Sequence, residues 1–118
     1  MPTFSSKSKS NLSTCDTRLQ RIFNKVVETY DCTIIEGHRD KEAQNKAYAD
    51  GKSQLRWPNG AHNKLPSLAV DVAPYPIDWG NKAKTNSQRL KVLARFYHFA
   101  GYVQAVADSM GIKIRMLS

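Results

Sequence analysis

The chain has 118 residues with 18 Lys and Arg against 10 Asp and Glu, which gives a formal net charge of +8. This length suits one domain with a modest core, and the 41% hydrophobic content excludes disorder throughout. No apolar run approaches a membrane span, and no apolar block of a secretory signal opens the sequence. The charge favours polyanionic partners, but no nucleic-acid-binding motif accompanies it. The charge therefore leaves nucleic acid and anionic cell-envelope polymers both open as partners, and we expect most of these cations to lie on solvated surface.

The N-terminal region divides into an arm and a helix. Residues 1–11 are rich in Ser and Lys and predict a mobile or loosely docked arm. We expect a single domain over residues 12–118. Apolar residues then recur at three- and four-residue steps, which predicts a core-facing helix capped by Ser13 or Thr14 and ended by Asp31.

A strand and a second helix follow. Residues 32–37 are short, β-branched and closed by glycine, which predicts a buried strand delivering Arg39 to its end. Asp40 is suited to cap a helix that runs to Asp50 and stops at Gly51. A fixed guanidinium there can bind substrate, or it can simply pair with Glu36 or Asp40. Cys15 and Cys32 lack metal-ligand spacing and predict free thiols.

The middle of the chain carries the strongest chemical signal. Residues 52–67 form a long irregular segment that contains His62, and Trp57 there is either a groove wall or a plug of the core. Residues 68–73 predict a strand ended by Pro74 and Pro76, in which Asp71 lies between two alanines on one face. A carboxylate on an apolar strand needs compensation. His62 and Asp71 facing one cavity suit zinc; alternatively backbone N–H groups satisfy Asp71, and His62 is polar surface.

The C-terminal part predicts a long helix and a last strand. The helix begins near Asn86 or Ser87 and runs to Met110, with Gly111 as its stop and His98 beside its apolar stripe. Residues 112–116 alternate and predict a final strand. The elements together indicate an α+β fold: a small, mainly antiparallel sheet with helices packed on one side.

Several stretches resemble one family. His62 followed by Ala69-Val70-Asp71 resembles the metal-binding segment of VanY-type zinc D,D-carboxypeptidases and L-alanyl-D-glutamate endopeptidases, which include phage endolysins. Gly60 stands where that pattern has Ser, and the gap to the aspartate is longer. Residues 72–79 and 36–44 resemble the phage branch, so that the resemblance covers nearly the whole chain.

The resemblance implies a function and a site. It implies the fold of the D,D-peptidase and hedgehog-like zinc peptidases, with Zn²⁺ held by His62 and Asp71. Arg39 would bind substrate and polarise the carbonyl under attack, and Gln44 would hydrogen-bond the peptide. The substrate would be bacterial peptidoglycan, cut by a monomer made in the host cytoplasm and delivered to the cell wall, for example by a holin.

The chain also departs from the family pattern. Family members continue past the strand expected at residues 112–116 to an acidic general base and a third, histidine ligand. We therefore expect a C-terminally truncated domain that lacks its last strand, binds zinc weakly and has impaired hydrolysis. The alternatives are a catalytically dead peptidoglycan-binding or regulatory remnant and, less favoured, a basic nucleic-acid-binding domain.

Overall fold

The computed structural model describes residues 1–116 and has an α+β architecture, as predicted. Its elements are α1 (Ser6–Ser13), α2 (Thr17–Val26), β1 (Cys32–Glu36), α3 (Lys41–Ala49), a 3₁₀ turn (Ala61–Asn63), β2 (Asp71–Pro74) and α4 (Asn86–Ser109). None of the helices among these residues is long and apolar enough to cross a bilayer.

The two strands form a small antiparallel sheet whose register matters for the site. Ile34 lies opposite Val72, but the next pair is Glu36 with Asp71, because an irregularity interrupts the ladder between Ile34 and Glu36. One extra residue on β1 at this point changes the direction in which the following side chains project from the sheet. As a result, two carboxylates stand opposite each other at one end of the sheet.

The core lies between the sheet and three of the helices. Its buried apolar side chains come from the N-terminal segment, α1, α2, β1 and α4: Phe4, Leu12, Cys15, Ile22, Phe23, Val26, Val27, Cys32, Ile34, Phe99, Val103 and Ala107. Both cysteines are free and buried, as the sequence predicts. α3 and the segment after it contribute little to this cluster, so the functional side chains lie at its edge.

The N-terminal segment differs from the predicted arm. Residues 6–13 form α1, which begins after the capping hydroxyl of Ser5 and packs on β1. The Ser8 hydroxyl accepts a hydrogen bond from Ile34 N at 3.1 Å, and the Asn11 amide donates to the carbonyls of Ile34 and Ile35. The Ser- and Lys-rich composition did not predict this packing, because the polar side chains that suggest a solvated arm form hydrogen bonds with the unpaired edge of β1.

Helix and strand boundaries agree in part with the sequence analysis. Asp40 caps α3, and α4 starts at Asn86, as predicted. The cap of α2 is Asp16, and neither Ser13 nor Thr14 serves because both end α1. The strand predicted at residues 68–73 is shorter and shifted, and Pro74 belongs to it.

The predicted final strand is wrong. Residues 112–116 have no strand structure, although Ile112 and Ile114 pack on the core. The alternation of apolar and basic residues at 112–116 therefore reflects the alternate burial of their side chains. It does not require hydrogen-bond pairing with another strand. The truncation that the resemblance implies concerns residues that would follow Ser118, so it stays a prediction. Residues 117 and 118 lie outside the described part of the chain.

Candidate active site

Three potential metal ligands converge where the sheet meets the 3₁₀ turn. Glu36 ends β1, Asp71 begins β2, and His62 projects from the turn between them. One ligand atom from each residue lies within 4.8 Å of the others. The turn is tied to the end of β1, because Arg39 N donates a hydrogen bond of 2.8 Å to the His62 carbonyl. Sheet register and this bond together bring Glu36 into one group with His62 and Asp71, although Glu36 lies 26 positions before His62 in the chain.

His62 is oriented as a metal-binding imidazole requires. Its Nδ1 lies 2.7 Å from the Gly37 carbonyl oxygen, which can only accept, so Nδ1 carries the hydrogen. In the neutral ring Nε2 then has a free lone pair, and it faces Asp71 Oδ1 at 3.5 Å. Nitrogen and oxygen ligands of one tetrahedral zinc, each bound at about 2.1 Å, stand about 3.4 Å apart. The two predicted ligands are therefore spaced to share an ion.

Protonation of the same pair is coupled. Burial alone lowers the pKa of His62, but its bonds to Asp71 and to the Gly37 carbonyl outweigh burial and raise that pKa above its ordinary value. His62 in turn lowers the pKa of Asp71, against the effect of burial, and Arg39 adds to the lowering. A proton on Nε2 and a cation would therefore compete for the same position between His62 and Asp71.

Arg39 joins both carboxylates. Its Nε donates to Glu36 Oε1 at 2.7 Å, its Nη2 contacts the same oxygen, and Nη2 lies 3.5 Å from Asp71 Oδ2. The ion pair with Glu36 weighed in the sequence analysis is present, whereas Asp40 is occupied in capping α3. Its guanidinium is nonetheless beside the three potential ligands, where a substrate carbonyl would be polarised. Its role toward substrate stays a prediction.

Gln44 lies beneath the cluster and does not face the cleft as expected. It is 1% exposed, and its Oε1 accepts from Arg39 Nη1 at 3.0 Å and from Asn63 Nδ2 at 3.1 Å. Its Nε2 donates to Ser53 Oγ and to the Leu55 carbonyl. The segment after α3 folds over this face of the helix, so the amide holds Arg39 in place and has no group left for peptide.

Sequence reasoning missed Glu36 as a potential ligand and Asn63 as a residue that hydrogen-bonds the turn to Arg39 and Gln44. Asn63 Oδ1 accepts from Gly60 N at 2.8 Å, while Nδ2 donates to the Arg39 carbonyl and to Gln44. The only sequence signal for Glu36 is a carboxylate at a strand end, three residues before an arginine. For Asn63 it is a polar residue directly after the histidine.

The other histidines and Trp57 lie outside the three-ligand group. His38 stands edge-on to Trp57, with ring centroids 6.4 Å apart, and His98 on α4 contacts the Tyr30 hydroxyl through Nδ1. Trp57 is half-buried beside the residue that precedes Arg39. Trp57 is not part of the buried core cluster, which argues against the core plug, and the groove wall stays a prediction.

Comparison with known proteins identifies the family of the chain. The model of the phage L-alanyl-D-glutamate peptidase family matches residues 2–118, nearly the full chain. The chain belongs to this family. A search of curated proteins finds no match. Members of the phage L-alanyl-D-glutamate peptidase family act on peptidoglycan, so the carboxylate–histidine–arginine cluster lies in a chain whose family cleaves an amide bond.

The donor set of the cluster fits the metal that the resemblance implies. One imidazole and two carboxylates are ligands that zinc accepts, and three protein ligands leave a position for water or substrate. The Gly37 carbonyl that orients His62 is the kind of outer partner that metal-binding histidines have. In this member of the family, Glu36 can thus provide a third ligand from residues that the structure describes.

Proposed function

We propose that this chain is a zinc-dependent hydrolase of the peptidoglycan stem peptide that cuts the bond between L-alanine and D-glutamate. Zinc would be held by Glu36, His62 and Asp71. The observation that supports the proposal is the convergence of their three ligand atoms within 4.8 Å, beside Arg39, in a member of this peptidase family. We further propose that the protein acts as a monomer on the host cell wall, which it reaches from the cytoplasm.

The protein's own residues would divide the work around the ion. Bound zinc supplies a water of lowered pKa and polarises the carbonyl to be attacked. His62 and the two carboxylates would hold it, and the hydrogen bond from His62 Nδ1 to the Gly37 carbonyl leaves Nε2 free to serve as the ligand atom. The negative charges of Glu36 and Asp71 outnumber the single charge of Arg39, so the cluster attracts a cation.

Arg39 would stabilise the negative charge that develops on the attacked carbonyl oxygen. Its planar fork is fixed by Glu36 on one edge and by Gln44 on another, so it needs no rearrangement when the charge appears. The glutamate of the substrate also carries a carboxylate, and the formal net charge of +8 favours its approach.

Metal content tests the ligand assignment. Glu36→Gln, His62→Ala and Asp71→Asn should each lower zinc affinity by more than about 10–100-fold, the loss typical of outer partners alone. Glu42→Gln on the exposed first turn of α3 is the matched control and should retain zinc. Zinc would be measured by elemental analysis after dialysis against buffered zinc. Unchanged content in the three variants would reject the site.

Product analysis tests the reaction. Purified peptidoglycan treated with the zinc-loaded chain should yield new amino-terminal glutamate, seen by mass spectrometry. Release of free D-alanine instead would indicate a D,D-carboxypeptidase. Retention on cell walls with bound zinc but without cleavage would indicate a catalytically inactive binding module. A salt-dependent gel shift with no retention on cell walls would favour the nucleic-acid-binding alternative.

A further inference from the structure

The N-terminal half of α4 presents a row of exposed apolar side chains. Leu90, Leu93 and Tyr97 are 64%, 51% and 61% exposed, and their spacing of three and four residues places them on one stripe of the helix. Beside them Trp79 is 59% exposed and stacks on Phe96, with ring centroids 5.5 Å apart. We call Trp79, Leu90, Leu93 and Tyr97 the α4 surface.

The segment that carries the α4 surface is strongly basic. Residues 77–98 contain one acidic residue, Asp78, whose carboxylate already accepts a hydrogen bond from Gly80 N. Five cations in the same segment leave it with a formal charge of +4 (five minus one): Lys82, Lys84, Arg89, Lys91 and Arg95. Apolar exposure and positive charge therefore occur in the same segment of the chain, with Arg89 beside the apolar stripe and Lys91 and Arg95 farther round the helix.

The helix holds this surface in place without help from a partner. Thr85 and Gln88 form a reciprocal capping box at its start, and Phe99, Val103 and Ala107 anchor its second half in the core. The packed stripe and the exposed stripe lie on neighbouring faces of one continuous helix. Within residues 1–116, the α4 surface is left facing solvent.

We propose that the α4 surface docks on an anionic phospholipid bilayer, with the helix lying in the plane of the interface. A basic helix with exposed Leu and aromatic side chains binds such an interface by apolar burial together with attraction to anionic headgroups. A second copy of the chain fits less well, because it would bring two +4 segments together. A soluble polyanion would neutralise the cations but leave four large apolar side chains in water. This inference is independent of the zinc site.

The apolar part is tested by sedimentation of the full chain with vesicles. The chain should bind vesicles of phosphatidylcholine and phosphatidylglycerol at a ratio of about 3:1 and bind pure phosphatidylcholine far less. Leu90→Ser with Leu93→Ser should weaken binding by about tenfold or more, since each leucine contributes burial. Leu65→Ser with Leu68→Ser removes two other exposed leucines and should leave binding unchanged.

The contribution of positive charge to vesicle binding is tested by a second pair of matched double variants. Lys84→Gln with Lys91→Gln should weaken binding to the anionic vesicles by roughly fivefold per charge. Lys7→Gln with Lys9→Gln on α1 removes the same charge from elsewhere on the surface and should have little effect. In Trp57→Phe, which leaves Trp79 as the single tryptophan, fluorescence should shift to the blue on adding anionic vesicles.

Defined outcomes would overturn the proposal. They are binding that is equal for both vesicle types, binding unaffected by the double Leu→Ser variant, and no binding at all. Self-association in lipid-free buffer that the double variant abolishes would assign the α4 surface to a second copy. Binding of long-chain polyphosphate with no binding of vesicles would assign it to a polyanion. Circular dichroism verifies folding, and peptidoglycan cleavage by the double variant should be unchanged.

Discussion

At the scale of single residues, the buried amide of Gln44 makes hydrogen bonds through both of its polar atoms. Its Oε1 accepts hydrogen bonds from the side chains of Arg39 and Asn63, and its Nε2 donates hydrogen bonds to Ser53 Oγ and to the Leu55 carbonyl. Buried polar groups that lose a partner retain their desolvation penalty, about 1–3 kcal/mol for each. The orientation of Arg39 therefore depends on a residue that cannot itself meet substrate.

Gln44→Leu should lower the free energy of unfolding by roughly 2–4 kcal/mol, because the substitution leaves buried donors of Arg39 and Asn63 without an acceptor. Urea denaturation measures the change. Gln54→Leu, at an exposed position of the same loop region, is the control and should change it by less than about 0.5 kcal/mol. Equal stability of the two variants would mean that the amide network contributes nothing.

Arg39→Lys should lower kcat by roughly 10²–10³-fold while zinc content stays intact, since lysine keeps the charge and loses the fork. Turnover on purified peptidoglycan and metal analysis of the same preparation provide the two readouts. Arg21→Lys, on the exposed side of α2, is the control. If Arg39→Lys unfolds the chain and the folded fraction keeps full specific activity, the arginine is a structural ion-pair partner.

The buried thiols give a pH-dependent prediction. Burial, followed by the nearby charge of Asp31, raises the pKa of Cys32 to about 12 from its ordinary value of 9.0. A raised folded pKa contributes stability that is complete below pH 9 and is lost as pH rises toward 12. The urea midpoint should therefore fall from pH 8 to pH 10.5, and fall less in Cys32→Ala. At pH 8 the folded chain should react with a thiol reagent far more slowly than the unfolded chain.

At the scale of elements, the 3₁₀ turn that carries His62 is fixed by a close approach at Gly60. A Cβ at Gly60 would lie 2.9 Å from Asn63 Oδ1 and 3.2 Å from Gln44 Oε1. Both oxygens accept hydrogen bonds, Asn63 Oδ1 from Gly60 N and Gln44 Oε1 from Arg39 Nη1. Moving either oxygen would weaken the contacts that connect the turn to Arg39. A side chain at position 60 would therefore shift the 3₁₀ turn and, with it, the potential ligand His62.

Gly60→Ala should lower zinc affinity by about 10–100-fold, the range seen when support of a ligand is lost. The control is Gly101→Ala in α4, where a Cβ meets nothing within 4 Å and alanine should stabilise the helix by about 0.5–1 kcal/mol. Zinc titration with a competing chelator measures the affinity. Equal affinities in the two variants would show that the turn adjusts freely.

At the scale of the whole molecule, α1 closes one side of the sheet. Phe4 and Leu12 are buried, and Ser8 and Asn11 bond to the backbone of β1, the strand that ends in Glu36. The two-stranded sheet is small, and such sheets are marginal unless packed against other elements. The N-terminal segment therefore belongs to the structural unit that holds the site.

Deletion of residues 1–11 should lower the free energy of unfolding by roughly 3 kcal/mol or more, from the burial of Phe4 and the lost bonds of Ser8 and Asn11. Denaturant titration measures the free energy of unfolding, and Phe4→Ala should lower it by less than the deletion does. A deletion variant as stable as the full chain would support the loosely docked arm that the composition predicts.

The sequence by itself determined α2, α3 and α4, the first strand, the α+β class and the family. Periodic apolar positions and capping residues such as Asp40 are local signals, and they fixed α3 and α4 to within a residue or two. The spacing of His62 and Asp71 and the position of Arg39 after a strand also lie in the sequence, and the resemblance gave them their predicted roles. Family membership is confirmed, while those roles stay predictions.

Only the tertiary structure decided how these residues meet. Glu36 faces Asp71 because the ladder is interrupted after Ile34, and a register between distant strands leaves no mark in local sequence. Gln44 is buried because a loop folds over α3, and the Ser-rich α1 is docked because its hydroxyl and amide groups bond to β1. Each of these depends on hydrogen bonds between residues far apart in the chain, whose partners composition and periodicity do not specify.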